Sequence, residues 1–224
     1  DQAENIYDYI FKYEQLAAEN AALREQLSQI QSDNRDAASI KRENDRLREL
    51  LELTKEHADY ELVDSYIISW NSMDWSYSFT VSKGTNAGIQ TGMCAITESG
   101  AVVGVVTEVG SNYSVITSVL DSSLDISATI ASSGYSGIVR GSYASGQMGM
   151  LRMDYLPAEC ELLGGDLVVT SGLGGYYPSG LVIGSVEEVQ MDDSGSASYA
   201  ILTPAVNFAE LVQVFVIKSF DIVP

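Results

Sequence analysis

Apolar side chains recur at alternating steps of four and three residues through the first quarter of the chain. Between Ile6 and Thr54, the seam of this repeat runs through Tyr9, Tyr13, Leu16, Asn20, Leu23, Leu27, Ile30, Asn34 and Ala37, and after a step of only three residues through Ile40, Asn44, Leu47, Leu51 and Thr54. This heptad period is the signature of a coiled coil, and the phase slip is typical of a stammer. The pattern predicts one helix of about 50 residues, roughly 75 Å long.

A stripe of two residues in seven is too narrow for a globular core, so the predicted helix needs a partner helix. We expect residues 1–58 to form a parallel homodimeric coiled coil. The candidate dimerisation residues are Leu16, Asn20, Leu23, Leu27, Ile30 and Asn34. Asparagine in such a seam lowers stability but selects the register and the two-stranded state. The alternative is a lone helix that packs back on the rest of the chain.

From residue 61 onward the pattern changes to short runs rich in Val, Ile, Thr and Tyr, separated by Gly, Ser, Asp and Asn. Runs of this length and spacing predict an antiparallel barrel or sandwich. No helical period of useful length interrupts them, which disfavours parallel βαβ units.

Two segments 80 residues apart resemble each other. SGAVVGVVTEV (residues 99–109) and SGLVIGSVEEV (residues 179–189) share seven of eleven positions, including an interrupting glycine at Gly104 and Gly184. A glycine inside a strand marks a bend or bulge that helps to curl a sheet. We therefore predict a mainly β protein with a long N-terminal helix and two small antiparallel β-barrels. The alternative is that both segments are hairpins of one sandwich.

The predicted domains are the coiled coil (1–58), an inserted barrel (79–151) and a second barrel formed by 60–78 together with 152–224. All 19 Gly and all 4 Pro follow residue 59, in agreement with the first boundary. The net charge of −19 and the absence of a basic stripe argue against nucleic-acid binding. The sequence contains no apolar run of about 18 residues, the length that would predict a membrane span. Because the sequence starts inside a helical pattern without Met, we interpret it as a fragment.

The run GDLVVTSGLGGYYPSGLVIGSV over residues 165–186 resembles the signature of the rod shape-determining protein MreC family. The likeness continues through KGTNAGIQTGM (83–93), GVVTEV (104–109), VLD (119–121), GIVRG (137–141) and PAVNF (204–208), all preceded by a coiled coil. The unusually acidic barrels and the pair Cys94 and Cys160 depart from the family pattern.

This resemblance implies a non-enzymatic scaffold for bacterial cell-wall elongation and cell-shape determination. It further implies a single membrane anchor outside this sequence, barrels on the extracellular or periplasmic face of the cytoplasmic membrane, and dimers that can assemble into filaments. The implied partners are penicillin-binding proteins, MreD and RodA, with MreB linked across the membrane. The alternative function is a coiled-coil membrane-fusion-type adaptor of a secretion or efflux assembly. An adaptor usually carries a helical hairpin between β segments, whereas here one helix precedes them.

Residues for catalysis are not grouped in the sequence. The only histidine, His57, lies at the end of the predicted helix, so a Ser-His-Asp site is not expected and Ser171 is interpreted as a turn residue. The glycines of 172–175 lack the lysine and following helix of a phosphate loop, and 192–195 lacks the spacing of a calcium loop. We predict no metal and no cofactor. Two free, buried thiols are the expected state of Cys94 and Cys160, and a disulfide between them is the alternative.

Partner contact is expected from aromatic residues in loops. Tyr176, Tyr177 and Pro178 are the candidate partner-binding residues, because two adjacent aromatics in a glycine-rich loop are hard to bury together. A second aromatic group, Tyr66, Trp70, Trp75 and Tyr77, is more consistent with packing where the helix meets the first strands, and the alternative is an exposed binding anchor.

Overall fold

A computed structural model describes residues 24, 25, 29, 31, 35, 38–55, 57–71, 77–142, 149–160, 162–191 and 197–220. The chain divides into two compact units, residues 1–48 and residues 49–224. Every described residue of the first unit is helical, as predicted. The candidate dimerisation residues Leu16, Asn20, Leu23, Leu27, Ile30 and Asn34 lie outside the described residues, and their role stays a prediction.

Residues 38–55 form a helix that contains the last part of the seam. Ile40, Leu47 and Leu51 are 69%, 53% and 55% exposed. Leu53 lies two residues beyond Leu51, about 200° further around the helix axis, and is buried in the core of the second unit. The end of the helix therefore has one apolar residue packed on the barrels and another exposed to solvent.

Twelve strands occur in the described part of the second unit. They are β1 (Glu61–Asn71), β2 (Ser78–Val81), β3 (Cys94–Ile96), β4 (Val102–Val109), β5 (Ser114–Ser118), β6 (Ile126–Ile130), β7 (Ser136–Ser142), β8 (Met150–Pro157), β9 (Leu167–Thr170), β10 (Val182–Met191), β11 (Ala197–Pro204) and β12 (Gln213–Ser219), with a 3-10 turn at Thr85–Ala87. Barrel A closes in the order β1-β12-β3-β4-β5-β2 and barrel B in the order β10-β11-β8-β7-β6-β9. All the strand pairs are antiparallel, which confirms the predicted fold class.

The predicted division of the strands between the barrels is wrong. The inserted barrel is barrel B, β6 to β11, and not residues 79–151. The C-terminal strand β12 pairs with both β1 and β3, so it closes the barrel that contains the first five strands. Residues 152–204 belong to barrel B and only the last strand returns to barrel A, a long-range pairing that no local pattern shows.

The two similar segments occupy equivalent places in the two barrels, as predicted. Gly104 of β4 lies opposite Ala95 on β3 and Ser118 on β5. Gly184 of β10 lies opposite Val168 on β9 and Pro204 on β11. A Cβ atom at Gly104 would lie 2.1 Å from the carbonyl oxygen of Thr117, and one at Gly184 would lie 2.3 Å from that of Thr203. Both glycines are thus required for close approach of the next strand.

Barrel A is buried on both faces along three of its strands. Val214 and Val216 of β12 point into the barrel A core, whereas Phe215 and Ile217 point outward and join a second cluster. This second cluster also contains the interior of barrel B, including Ile126, and the helix residue Leu53. Burial on both faces explains why β3, β4 and β12 read as nearly continuous apolar runs. We call the outer face of these three strands the barrel junction.

Candidate partner-binding site

The loop between β9 and β10 carries the predicted partner-binding residues to the barrel junction. Thr170, the last residue of β9, fixes both sides of this loop: its hydroxyl donates to the Pro178 carbonyl at 2.6 Å and accepts from the Leu181 amide at 2.9 Å. The Leu173 amide donates to the hydroxyl of Ser171, in keeping with the predicted turn role of that serine. The loop is therefore a tight strand connection.

The adjacent tyrosines of this loop point in opposite directions. Tyr177 is 6% exposed and belongs to the core cluster at the junction, and Pro178 is buried as well. Tyr176 is 62% exposed. Of the three candidate residues, the single chain offers only Tyr176 to a partner, because Tyr177 fills space between the barrels.

Tyr177 lies in an environment that disfavours charge. Burial, followed by the nearby Cys94 thiol, raises the pKa of Tyr177 well above its ordinary value of 10. Burial also raises the pKa of Cys94, and burial together with Asp59 and Cys94 raises that of Tyr60 to about 12. The Tyr177 hydroxyl has no hydrogen-bond partner among the described residues. These groups are neutral at physiological pH, so their role is packing.

Tyr176 forms one wall of a groove of about 220 Å³ between the two barrels. Its ring lies 3.6 Å from the position that a Cβ atom at Gly92 would occupy, so it spans the gap to barrel A. The groove is lined by Gln90, Thr91, Gly92, Met93, Gly175, Tyr176, Ile217, Lys218 and Phe220. We call this concavity the junction groove.

Lys218 is the one ionisable charge among the described lining residues of the junction groove. Its ammonium group donates to the Glu61 carboxylate of β1, across the β1–β12 pair. The lysine side chain is 24% exposed and the glutamate side chain is 60% exposed. A Cβ atom at Gly88 would lie 2.8 Å from Cε of Lys218, so the lysine stem passes directly over this glycine.

A second exposed apolar area follows the outside of β1. Tyr66, Ile68 and Trp70 are 49%, 61% and 43% exposed, and Val212 beside them is 63% exposed. The Trp70 ring packs on Phe79 at 4.8 Å between centroids. Tyr77 is half-buried, and Trp75 lies outside the described residues. Packing was the favoured interpretation of this aromatic group, but Tyr66 and Trp70 are exposed, as the alternative of an exposed binding anchor requires.

The histidine and the two cysteines of the sequence all lie in the described part of the chain. His57 stacks on Tyr60, with centroids 4.4 Å apart, at the joint between the helix and barrel A. Both cysteines are free, with Cys94 buried and Cys160 half-buried. The described residues contain no group of three or more His, Cys, Asp or Glu side chains placed to hold a metal ion. Within the same residues, no helix is long and apolar enough to span a membrane. Residues 192–195 lie outside the described part.

Two closed six-stranded antiparallel barrels, preceded in the chain by a helix, define a mainly β two-barrel protein. Comparison with known proteins then gives the family: the model described as "Rod shape-determining protein MreC, barrel core" matches residues 67–218. The chain belongs to the MreC family of cell shape-determining proteins.

Individual relatives agree with this assignment. The cell shape-determining protein MreC of Listeria monocytogenes is 32% identical over 203 residues, which cover 89% of this chain and 68% of the relative. The MreC protein of Bacillus subtilis is 29% identical over 223 residues, covering 96% of this chain and 75% of the relative. Neither match supports the alternative function of an efflux or secretion adaptor.

Solved structures show the same fold. The structure of MreC from Listeria monocytogenes superposes with a TM-score of 0.66 at 27% identity, covering 92% of this chain and 98% of that one. A structure described as the major periplasmic domain of the cell shape-determining filament MreC has a TM-score of 0.60 at 19% identity, covering 70% and 94%. A third, from a complex between the penicillin-binding protein PBP2 and MreC of Helicobacter pylori, has a TM-score of 0.54 at 18% identity, covering 71% and 100%.

Proposed function

We propose that this chain is a non-enzymatic scaffold of cell-wall elongation, which dimerises through its helix and docks peptidoglycan-synthesis proteins on its barrels. Its place is the outer face of the cytoplasmic membrane, with a membrane anchor in the full-length protein. Its partners are a penicillin-binding protein and, by family resemblance, MreD, RodA and MreB. The observation that carries the docking role is the exposed Tyr176 beside the junction groove. The solved complex between PBP2 and MreC of Helicobacter pylori supports it.

Dimerisation is supported by the exposed seam at the end of the helix. Ile40, Leu47 and Leu51 keep the heptad spacing and lie in solvent in the single chain, where apolar side chains of this size are costly. The double variant Leu47→Glu, Leu51→Glu should be monomeric by light scattering, while the wild type is dimeric. Arg42→Glu is the matched control, because it changes the net charge by the same two units at a position off the seam. Equal masses for all three proteins would refute the coiled-coil dimer.

Docking is tested by the affinity for the purified ectodomain of the elongation-specific penicillin-binding protein of the same organism. Tyr176→Ser removes an exposed aromatic anchor of the kind that dominates interface energetics, so it should weaken binding at least tenfold. Tyr113→Ser is the control, since Tyr113 is also exposed, at 49%, but lies in the turn between β4 and β5. Absence of any binding by the wild type would refute the docking role.

A further inference from the structure

We propose that the junction groove takes an apolar anchor side chain of the docked partner, and that Lys218 binds a carboxylate next to this anchor. The inference rests on the proposed docking function and adds the chemistry that the partner must present. It concerns one occupant: a protein segment with an apolar residue beside an Asp or Glu.

The size of the groove favours a side chain over a small-molecule ligand. Its volume of about 220 Å³ lies below the ~300 Å³ at which small-molecule pockets begin. Its wall is mixed: Gln90, Thr91 and Lys218 are polar, while Met93 and Phe220, both half-buried, give it an apolar part beside Tyr176. Tyr176 stands exposed at the side. Exposed aromatic residues beside a concavity are common among the residues that dominate interface energetics.

Neither barrel offers an edge strand to a partner. Both sheets close on themselves, so an incoming peptide cannot extend them by backbone hydrogen bonds. Recognition at the junction must therefore come from side chains. This requirement makes the charge of Lys218 the main source of orientation within the groove, because the other lining residues are uncharged.

The charge distribution selects an anionic group at that point. Residues 60–224 carry 17 acidic and 4 basic side chains, so most of the barrel surface repels carboxylates. Lys218 is one of these four basic residues, and in the described part of the chain its ammonium, which has three donors, makes one hydrogen bond, to Glu61. Two donors therefore remain for a carboxylate of the partner.

Glu61 acts as a replaceable counter-ion in the free protein. Its carboxylate is more than half exposed, and an ion pair with such a partner contributes little in water. When a partner covers the groove and excludes water, the lysine needs a well-placed negative charge. A partner that supplies one competes with Glu61, so removing the Glu61 charge should favour binding.

The test uses variants that each replace one charged side chain with a neutral one. Their affinity for the same penicillin-binding protein ectodomain is measured by biolayer interferometry. Lys218→Gln should weaken binding about tenfold and reduce the dependence on salt concentration, since a buried charge pair is lost. Glu61→Gln should tighten binding about threefold, because the competitor is removed. The exposed ion pair between Asp64 of β1 and Lys83, which follows β2, has its atoms 2.7 Å apart. It supplies the controls Lys83→Gln and Asp64→Asn, which should stay within about twofold of wild type.

The outcomes separate this inference from the docking proposal. If the wild type does not bind the ectodomain, both are refuted. If it binds but Lys218→Gln behaves like Lys83→Gln, or Glu61→Gln weakens binding, the carboxylate assignment is overturned while docking stands. If Tyr176→Ser instead changes the mass of the protein alone in light scattering, the groove is occupied by a second copy of the chain, and the inference is also overturned. Thermal melting of each variant checks that it is folded.

Discussion

The equivalent glycines of the two barrels lead to a matched pair of stability predictions. In Gly184→Ala the new Cβ atom would lie 2.3 Å from the Thr203 carbonyl oxygen, and in Gly104→Ala 2.1 Å from that of Thr117. Ordinary carbon–oxygen contacts are about 3.3 Å, so the neighbouring strand must move by roughly 1 Å. Such a shift adds overpacking strain of about 1 to 3 kcal/mol and weakens one or two ladder hydrogen bonds worth ~1 kcal/mol each. We expect each variant to lose about 3 kcal/mol.

Urea unfolding followed by circular dichroism measures this loss, and thermal melting should show a decrease of about 6 to 12 °C. Gly164→Ala in barrel B is the control. Gly164 lies outside the left-handed region of φ, and a Cβ atom there would lie 3.7 Å from its nearest neighbour, the Glu187 carbonyl oxygen. That variant should be neutral or slightly more stable, because alanine restricts the unfolded chain. If Gly184→Ala were as stable as Gly164→Ala, the close approach of β10 and β11 would be refuted.

Three further predictions concern buried or strained tyrosines. Tyr177→Phe removes a hydroxyl that has no hydrogen-bond partner among the described residues, so urea unfolding should show unchanged or higher stability. Tyr177→Ala removes the buried ring and should cost about 3 to 5 kcal/mol. A large loss of stability in the Phe variant would contradict the packing role. Tyr155 in β8 has a φ of 67°, a left-handed conformation that strains a bulky residue. Tyr155→Gly relieves this strain and should not lower the melting temperature. A melting temperature lowered by several degrees would argue against the strain. The pKa of Tyr60 is raised from 10.0 to about 12 in the folded state, so its contribution to stability is complete below pH 10 and is lost as the pH rises toward 12. The urea midpoint of the wild type should therefore fall between pH 10 and pH 12, and the fall should be smaller in Tyr60→Phe. An equal fall in both proteins would contradict this prediction.

Local patterns were sufficient for the elements and for the number of barrels. The heptad seam predicted the helix that is described at 38–55, and the repeated glycines predicted one hairpin in each barrel, because both signals are contained in about ten neighbouring residues. The assignment of strands to barrels failed, since it depends on β12 returning to pair with β3, where Phe215 lies opposite Ile96, 119 residues earlier in the chain. Alternation of polar and apolar residues does not encode which distant strand becomes a neighbour.

The candidate site could be predicted only in part for the same reason. The sequence showed that Tyr176 and Tyr177 cannot both be buried easily, but which one faces solvent depends on Cys94 and the other residues of barrel A beneath Tyr177. The junction groove was not predicted, because Lys218 and Glu61 are 157 residues apart and meet through the β1–β12 pair. A usable signal was the continuous apolar run Val214–Ile217, which indicates a strand buried on both faces.

The central claim, a dimer that docks a cell-wall synthesis enzyme, is tested most directly by light scattering of the chain mixed with an equimolar amount of the penicillin-binding protein ectodomain. We predict one species that contains two copies of each protein, and, for Leu47→Glu, Leu51→Glu, a species with one copy of each. Two separate peaks with the masses of the unmixed proteins would contradict the account.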